Sequence, residues 1–496
     1  MPNLLFIALI LLPVLSSCLI AIEGGVSGTM KSRRALVATT LALQCLLSVL
    51  VFLEGDQSQL LFHLSPHLPV ALRSDALARY SVVIISFLWT FTGAYSFKYM
   101  EHVHNEKRFY TFYMLILGAL MAMCLADTLI TLFIFFEAVT FLSMALFSIE
   151  KSKETTRASL RFLVYAIISA VLCFVGLLLT APNTATPYFV PGGSLLPPGQ
   201  FTISVSAMLG AVFVGCVGFA SMADMFPLHG WLPAAHPVAS APASAILSSV
   251  IAKMGILGII RYLYYVVGPE FIRHSWVQTL LLAFALITVF IGSMLALRQN
   301  VLKKRLAYSS MSQLSYILCG VFLLNQTALD GALLHMFFHA LTKSALYMCA
   351  GAIIFYTGRT ELDQLHALGT RMPVTMTLFT IASLGLVGIP PMGGFISKWY
   401  LMEGAITGTG LGVFTWLVPA VLLVSALLTA AYLLPISISA FYDDPKKSAG
   451  MDRLCPTRLS ARMETSMLIL VAALIGFGLF PGALINFFQA IADTLV

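Results

Sequence analysis

Met225-Phe226-Pro227-Leu228-His229-Gly230-Trp231-Leu232-Pro233 cuts across an apolar run that begins near residue 205. A second interruption, Gly388-Ile389-Pro390-Pro391-Met392-Gly393-Gly394-Phe395, falls in a run covering 373–397 and is followed by Lys398. Proline removes a backbone donor and its ring clashes with the preceding turn. Backbone groups freed at membrane depth are tolerated only inside protein or beside water. Two such breaks, five spans apart, are the pattern of repeated units with ion sites at the interrupted helices. Either one alone also fits a proline at the end of a span. Together, and with the buried charges described below, they favour two broken helices.

Outward from these breaks the chain is apolar almost throughout. Of its 496 residues 59% are hydrophobic and 10% are charged, whereas a soluble protein carries about 25% charged residues. This excludes a soluble enzyme, a disordered chain and a nucleic-acid binder, and implies an all-α polytopic membrane protein. Apolar runs predict about 14 spans, near 3–22, 35–53, 80–98, 110–126, 128–149, 160–181, 205–225, 241–265, 276–297, 304–325, 330–356, 373–397, 412–441 and 464–487. Residues 56–79 and 182–204 read as links outside the membrane core, and 442–463 as the longest polar link. Met1 to Ile22 reads as a retained first span, not a signal peptide, because it has no basic leading segment.

The net charge of +7 records a bias between links. Alternate links hold 21 of the 28 Lys and Arg residues, among them Lys31, Arg34, Lys98, Lys107, Lys151, Lys153, Lys303, Arg305, Arg371, Lys446, Lys447, Arg453, Arg458 and Arg462. Basic links stay on the cytoplasmic side, which predicts both termini outside a bacterial or archaeal cytoplasmic membrane. The eight cysteines, Cys18, Cys45, Cys124, Cys173, Cys216, Cys319, Cys349 and Cys455, lack the spacing of metal or cluster ligands. With no nucleotide-binding motif either, the expectation is no cofactor and no redox centre in the chain itself.

Several ionisable residues fall inside apolar runs, where a charge costs about 2.5–3.5 kcal/mol on insertion scales. Glu137 sits in the middle of the fifth span and Lys253 in the eighth. His335, His339 and Lys343 recur every fourth residue and therefore share one helix face. Lys398 follows the second break and Asp224 lies at the first; either also fits a group reaching toward the membrane surface. His229 and His236 flank the first break, as hydrogen-bond donors or as proton relays. Burial lowers the pKa of a lysine and raises that of a glutamate, so such groups can exchange protons near neutral pH. Buried carboxylate, ammonium and imidazole groups in line are what proton transfer needs.

These residues resemble a known family. Phe226-Pro-Leu-His-Gly-Trp-Leu-Pro-Ala-Ala-His236, the spacing of Lys253 and Arg261, Lys304-Arg-Leu-Ala-Tyr-Ser-Ser-Met-Ser312, His335 with His339 and Lys343, and Gly388-Ile-Pro-Pro-x-Gly-Gly-Phe-x-x-Lys398 are similar to the antiporter-like subunits of respiratory complex I. The same family includes subunits of Mrp-type cation/proton antiporters and of membrane-bound energy-converting hydrogenases. The resemblance covers nearly the whole chain. It implies two inverted five-helix repeats, each with a broken helix, in 110–265 and 276–441, between N-terminal helices in 1–109 and a link plus a last helix in 442–496.

It also implies a hydrated mid-membrane axis. Glu137 would be its gate, Lys253 the first carrier, His335, His339 and Lys343 the relay, and Lys398 the exit. Partners would be other membrane subunits, related antiporter-like ones among them, with any redox chemistry in those partners. An Mrp-like or hydrogenase-like parent is the first expectation and a complex I subunit the next. One departure stands out. Met222 occupies the place of the family's lysine five residues before Pro227, and Ser248 that of a common histidine. Without that lysine, either Lys253 pairs with Glu137, or pumping is lost and the subunit is structural, or another ion such as Na⁺ is handled. A stand-alone secondary transporter is the remaining alternative.

Overall fold

The computed structural model describes residues 4–22, 30–66, 68–102, 105–149, 152–443 and 460–496. The expectations that rest on Lys151, Lys446, Lys447, Arg453, Arg458 and Cys455 lie outside the described residues. In the N-terminal part, α1 (Leu4–Ile22) and α2 (Met30–Glu54) precede a hairpin of β1 (Ser58–Ser65) and β2 (Leu68–Arg73), and α3 (Ala76–Tyr99) follows. Then come α4 (Glu106–Cys124), α5 (Leu129–Phe147), α6 (Lys153–Thr180), α7 (Val205–Met222), α8 (Leu232–Val238), α9 (Ala241–Ser249), α10 (Met254–Tyr262) and the short α11 (Pro269–Ile272). The second half holds α12 (Trp276–Arg298), α13 (Leu302–Phe322), α14 (Gln326–Thr357), α15 (Pro373–Val387), α16 (Gly393–Thr407) and α17 (Phe414–Tyr442). The chain ends in α18 (Ala461–Leu479) and α19 (Gly482–Leu495).

Among the described residues, eleven helical stretches are long and apolar enough to cross a membrane, the interrupted one over 241–267 among them. The expected spans at 110–126, 304–325 and 373–397 are helical but do not meet that standard. The third is cut in two by its break. The second, α13, is polar because it carries Ser309, Ser310, Ser312 and Gln313, every one of them buried. Polar side chains turned inward lower a span's hydropathy without exposing it to lipid.

The central helices are covered by the others. The stretch from α9 to Val267 is buried throughout, and α14 nearly so. By contrast α2, α6 and α17 leave one side apolar and exposed, with Leu43, Leu53, Leu160, Val171, Leu423 and Leu427 outward. Such a helix is buried on one stripe and meets lipid on the other.

Links bond to links on two faces. Arg73 N donates to Leu125 O at 2.6 Å, Phe189 N to Asp127 O at 2.9 Å and Val190 N to Tyr265 O at 3.1 Å. These belong to the links poor in basic residues. In the basic set, Leu302 N donates to Thr360 O at 2.9 Å, and Arg34 pairs with Glu106 and Glu101 at 2.8 and 2.9 Å.

Three local features differ from the sequence expectation. Ser58–Ser65 and Leu68–Arg73 pair as an antiparallel hairpin whose β1 is largely exposed, although Pro69 argues against a strand; an edge position tolerates proline. The eighth span is not one helix. It stops at Ser249, passes through a tight turn at Ile251–Lys253 and resumes at Met254. The last span ends at Leu479, because Pro481 starts a separate helix there.

Candidate functional site

Both proline-containing breaks are real interruptions. At the first, α7 stops at Met222 and α8 starts at Leu232. The freed groups are satisfied inside the protein. Asp224 Oδ1 accepts from Gly230 N at 2.7 Å, Trp231 Nε1 donates to Ser221 O at 3.0 Å and Phe226 N donates to Thr288 Oγ1 at 2.9 Å. Asp224 is completely buried and holds the crossing together. It does not reach for the membrane surface.

At the second break α15 ends at Val387, leaving the carbonyls of its last turn without helical donors. Lys398 Nζ fills that place, donating to Leu386 O at 2.8 Å and Val387 O at 2.9 Å. Lys253 repeats the device at the break inside the eighth span. Its Nζ donates to Ser248 O at 3.0 Å and Ser249 O at 2.8 Å, the last carbonyls of α9. A cation at the C-terminal end of a helix is favoured by the helix dipole as well as by these bonds. Both lysines are buried, at 3% and 5% exposure. Lys253 also borders a cavity of about 30 Å³, with Ser81, Ser249 and Ala340 on its wall.

His335, His339 and Lys343 lie on the unbroken α14 and are all buried. His335 is clamped from both sides, with Nδ1 2.9 Å from Ser397 Oγ and Nε2 3.1 Å from Gln313 Oε1. Its ring stacks on Tyr316 at 5.5 Å and faces His339 at 6.0 Å. Lys398 Nζ lies 5.1 Å from the Tyr316 ring. Neither ring nitrogen of His339 has a protein partner, and its electrostatic neighbours are Lys253, Lys343, His335 and Lys398. Lys343 Nζ bonds to Leu306 O at 3.0 Å and to Ser309 Oγ. His236, fully buried, stacks on Tyr347 at 4.5 Å, one turn beyond Lys343, and is an electrostatic neighbour of Lys343 and Lys303. A seam of basic side chains thus runs from the first break to the second.

Three candidates stand outside the seam. Glu137 is half-buried on α5 with both carboxylate oxygens unpartnered, beside Cys173 of α6. The pairing of Lys253 with Glu137 is not formed; the lysine is spent on carbonyls of its own chain segment. Asp224 is committed to the break. His229 is partly exposed, and its Nδ1 lies 3.3 Å from Pro227 O.

Sequence reading misses Lys303, Gln313, Tyr316 and Ser397. Lys303 counts among the link cations by its position in the sequence, but it is 7% exposed and its Nζ donates to Ala239 O at 2.8 Å, at the end of α8. For Gln313 the unusual polarity of its helix is the available signal. Among the described residues no cluster of His, Cys, Asp and Glu is arranged to hold a metal ion.

Residues 126–429 match the family described as NADH:quinone oxidoreductase/Mrp antiporter, TM. The chain is 31% identical over 428 residues to NADH-quinone oxidoreductase subunit N of Desulforudis audaxviator, covering 83% of this chain and 82% of that one. It is 28% identical to a Na(+)/H(+) antiporter subunit of Alkalihalophilus pseudofirmus, over 76% and 74% of the two chains. Its fold matches a chain of the membrane-bound sulfane sulfur reductase, an archaeal respiratory membrane complex, with a TM-score of 0.86 at 22% identity, over 99% and 97%. The chain therefore belongs to the NADH:quinone oxidoreductase/Mrp antiporter family and is one of its antiporter-like, multi-pass membrane subunits.

Proposed function

We propose that this subunit moves protons through the seam, from Lys253 by way of His339 and His335 to Lys398, with Lys343 and His236 as the branch toward Lys303. The observation that carries this is the pair of buried lysines, each seated on the carbonyls of a helix end inside the bundle, with two imidazoles between them. Like charges in a low-dielectric seam disfavour one another, so loading one site favours unloading the next. Imidazoles accept and donate protons near neutral pH, which suits the two central positions. The two halves, each with a break and a lysine, act as the inverted repeats. The basic links face the cytoplasm and the termini the other side. The work is done within a multisubunit membrane complex, whose other subunits supply any redox chemistry; the chain contributes no cofactor of its own.

Lys253→Ala and Lys398→Ala test this in vesicles that carry the assembled complex. Each is expected to lower transport at least about a hundredfold, the lower end for loss of a positioned proton-transfer group, with assembly preserved. Normal transport in both variants defeats the assignment.

Glu137 favours a second reading. Its two unpartnered oxygens, with Met222 where the family has a lysine, are free to serve as a cation ligand such as Na⁺ would use. Transport that ignores Na⁺ and is unchanged by Glu137→Gln rules this out.

A further inference from the structure

On the face opposite the basic links, the hairpin and the link around residue 188 border an open cavity of about 460 Å³, with Asp56, Arg73 and Tyr188 on its wall. Asp127 lines it from the short link between α4 and α5, outside the spans. Its backbone is held on both sides, by Ala71 O at 3.0 Å and Phe189 N at 2.9 Å. The side chain is 4% exposed, yet Oδ1 has no protein partner. Oδ1 is closed off from solvent, and the residue meets the cavity with the rest of its surface.

Behind Asp127, Arg261 of α10 holds Asp75, the N-cap of α3, through two bonds of 2.5 and 2.7 Å. This ties together the ends of two helices whose middles line the small cavity at Lys253, Ser81 from α3 and Leu257 from α10. Asp75 and Ser81 are about 9 Å apart along one helix, and Lys253 and Arg261 about 12 Å along the other. α10 thus leads from Lys253 at its start to Arg261 near its end, and Arg261 is an electrostatic neighbour of Asp127.

We infer that Asp127 is a proton-exchange site at the mouth of the first half. A proton that leaves the Lys253 ammonium in the direction of Arg261 is taken by the Asp127 carboxylate and passed to water in the cavity, or travels in reverse. The inference rests on the proton reading above. The Asp75 carboxylate cannot serve, because both its oxygens are engaged by Arg261. The charged groups that face Asp127 are Arg73, Arg261 and Asp75. Asp56 lines the same cavity but is paired with Arg79 at 2.8 Å. Burial pushes the Asp127 carboxyl up to about 6, with Arg73 and Arg261 holding it from rising further. Below that pH the site is already protonated and cannot accept; above it, it can.

The test is transport in vesicles bearing the assembled complex, with pH varied only on the hairpin side. Wild type is expected to change rate through a pH of about 6. Asp127→Asn is expected to lose this inflection and to slow about a hundredfold, while Lys253→Ala is inactive. Wild-type rate and inflection in Asp127→Asn beside an inactive Lys253→Ala overturn the site and leave the Lys253 reading standing. Full activity in Lys253→Ala and Lys398→Ala overturns both. If Asp127→Asn does not assemble, Asp127→Glu decides: a shifted inflection supports the site and an unmoved one overturns it.

Discussion

Buried arginine and lysine in this chain do opposite jobs. Arg261 is locked: Asp75 grips it with two bonds, and Tyr265 and Phe189 stack over it at 4.4 and 5.6 Å. A guanidinium so held stays charged and makes a structural cross-link between α3 and α10. The hydrogen-bond partners of Lys253 and Lys398 are carbonyls, which an uncharged amine can also face, and so both keep the freedom to give up a proton. Removing one partner of a buried ion pair leaves the other uncompensated and costs about 3–5 kcal/mol. Arg261→Leu is therefore expected to lower thermal stability in detergent more than Lys253→Ala, which strands only uncharged carbonyls; equal stability losses would refute the distinction. Burial alone would raise the Asp75 carboxyl, but the Arg261 charge and its hydrogen bonds outweigh that and hold it below the ordinary range. A depressed folded-state value means the pair's stabilisation is complete above about pH 4 and is lost only as pH falls further. Denaturation midpoints measured from pH 7 down to pH 3 check the sign: wild type should weaken only at the acid end, and the gap to Arg261→Leu should narrow there.

At the scale of the element, what can be read from sequence follows what is costly. Charges in apolar runs are expensive, so Lys253, His335, His339, Lys343 and Lys398 stand out in the sequence alone. Proline in a helix is expensive, so both proline breaks stand out too. The groups that seat these side chains are cheap anywhere, and Ser397, Gln313 and the carbonyls of Ser248 and Leu386 give little warning. The break at Ile251–Lys253 has no proline to announce it; one of its supports is a lysine five residues past a carbonyl, which no periodicity reveals. Gly388 shows how an element end sets the site. It has φ +85°, and a methyl group there would lie 3.1 Å from Lys398 Cδ. Gly358, at the end of α14, has φ +68° and open space around it. Alanine at either position meets similar backbone strain of about 1–2 kcal/mol. Gly388→Ala is expected to reduce transport well beyond Gly358→Ala at matched stability, because only the first presses on the lysine. Equal transport in the two variants would show that the seat of Lys398 does not matter.

Across the whole molecule the balance of charge is uneven. The seam gathers Lys253, Lys343, Lys398, Lys303, His236, His335 and His339, and the one carboxylate expected to belong to it, Glu137, lies apart. The resemblance puts a lysine at the position of Met222 on α7. Met222 is 1% exposed at the last turn of α7, and its Cβ lies 3.3 Å from where a side chain on Gly255 of α10 would begin. The α7–α10 contact is thus one place where the two sides of the bundle meet, with Phe136 of α5 edge-on to Phe219 of α7 at 5.0 Å. An ammonium introduced there would give Glu137 an opposite charge, and would give Lys253 a like-charged neighbour that favours release of its proton. Met222→Lys is expected to raise proton transport, and Met222→Lys with Glu137→Gln to lose the gain, because an unpaired buried lysine is carried neutral. Coupling in the double-mutant cycle is the measurement, since neighbouring groups that act together depart from additivity. Additive effects of the two substitutions would mean that Glu137 and the seam do not communicate through α7, and that the isolated carboxylate serves a separate purpose.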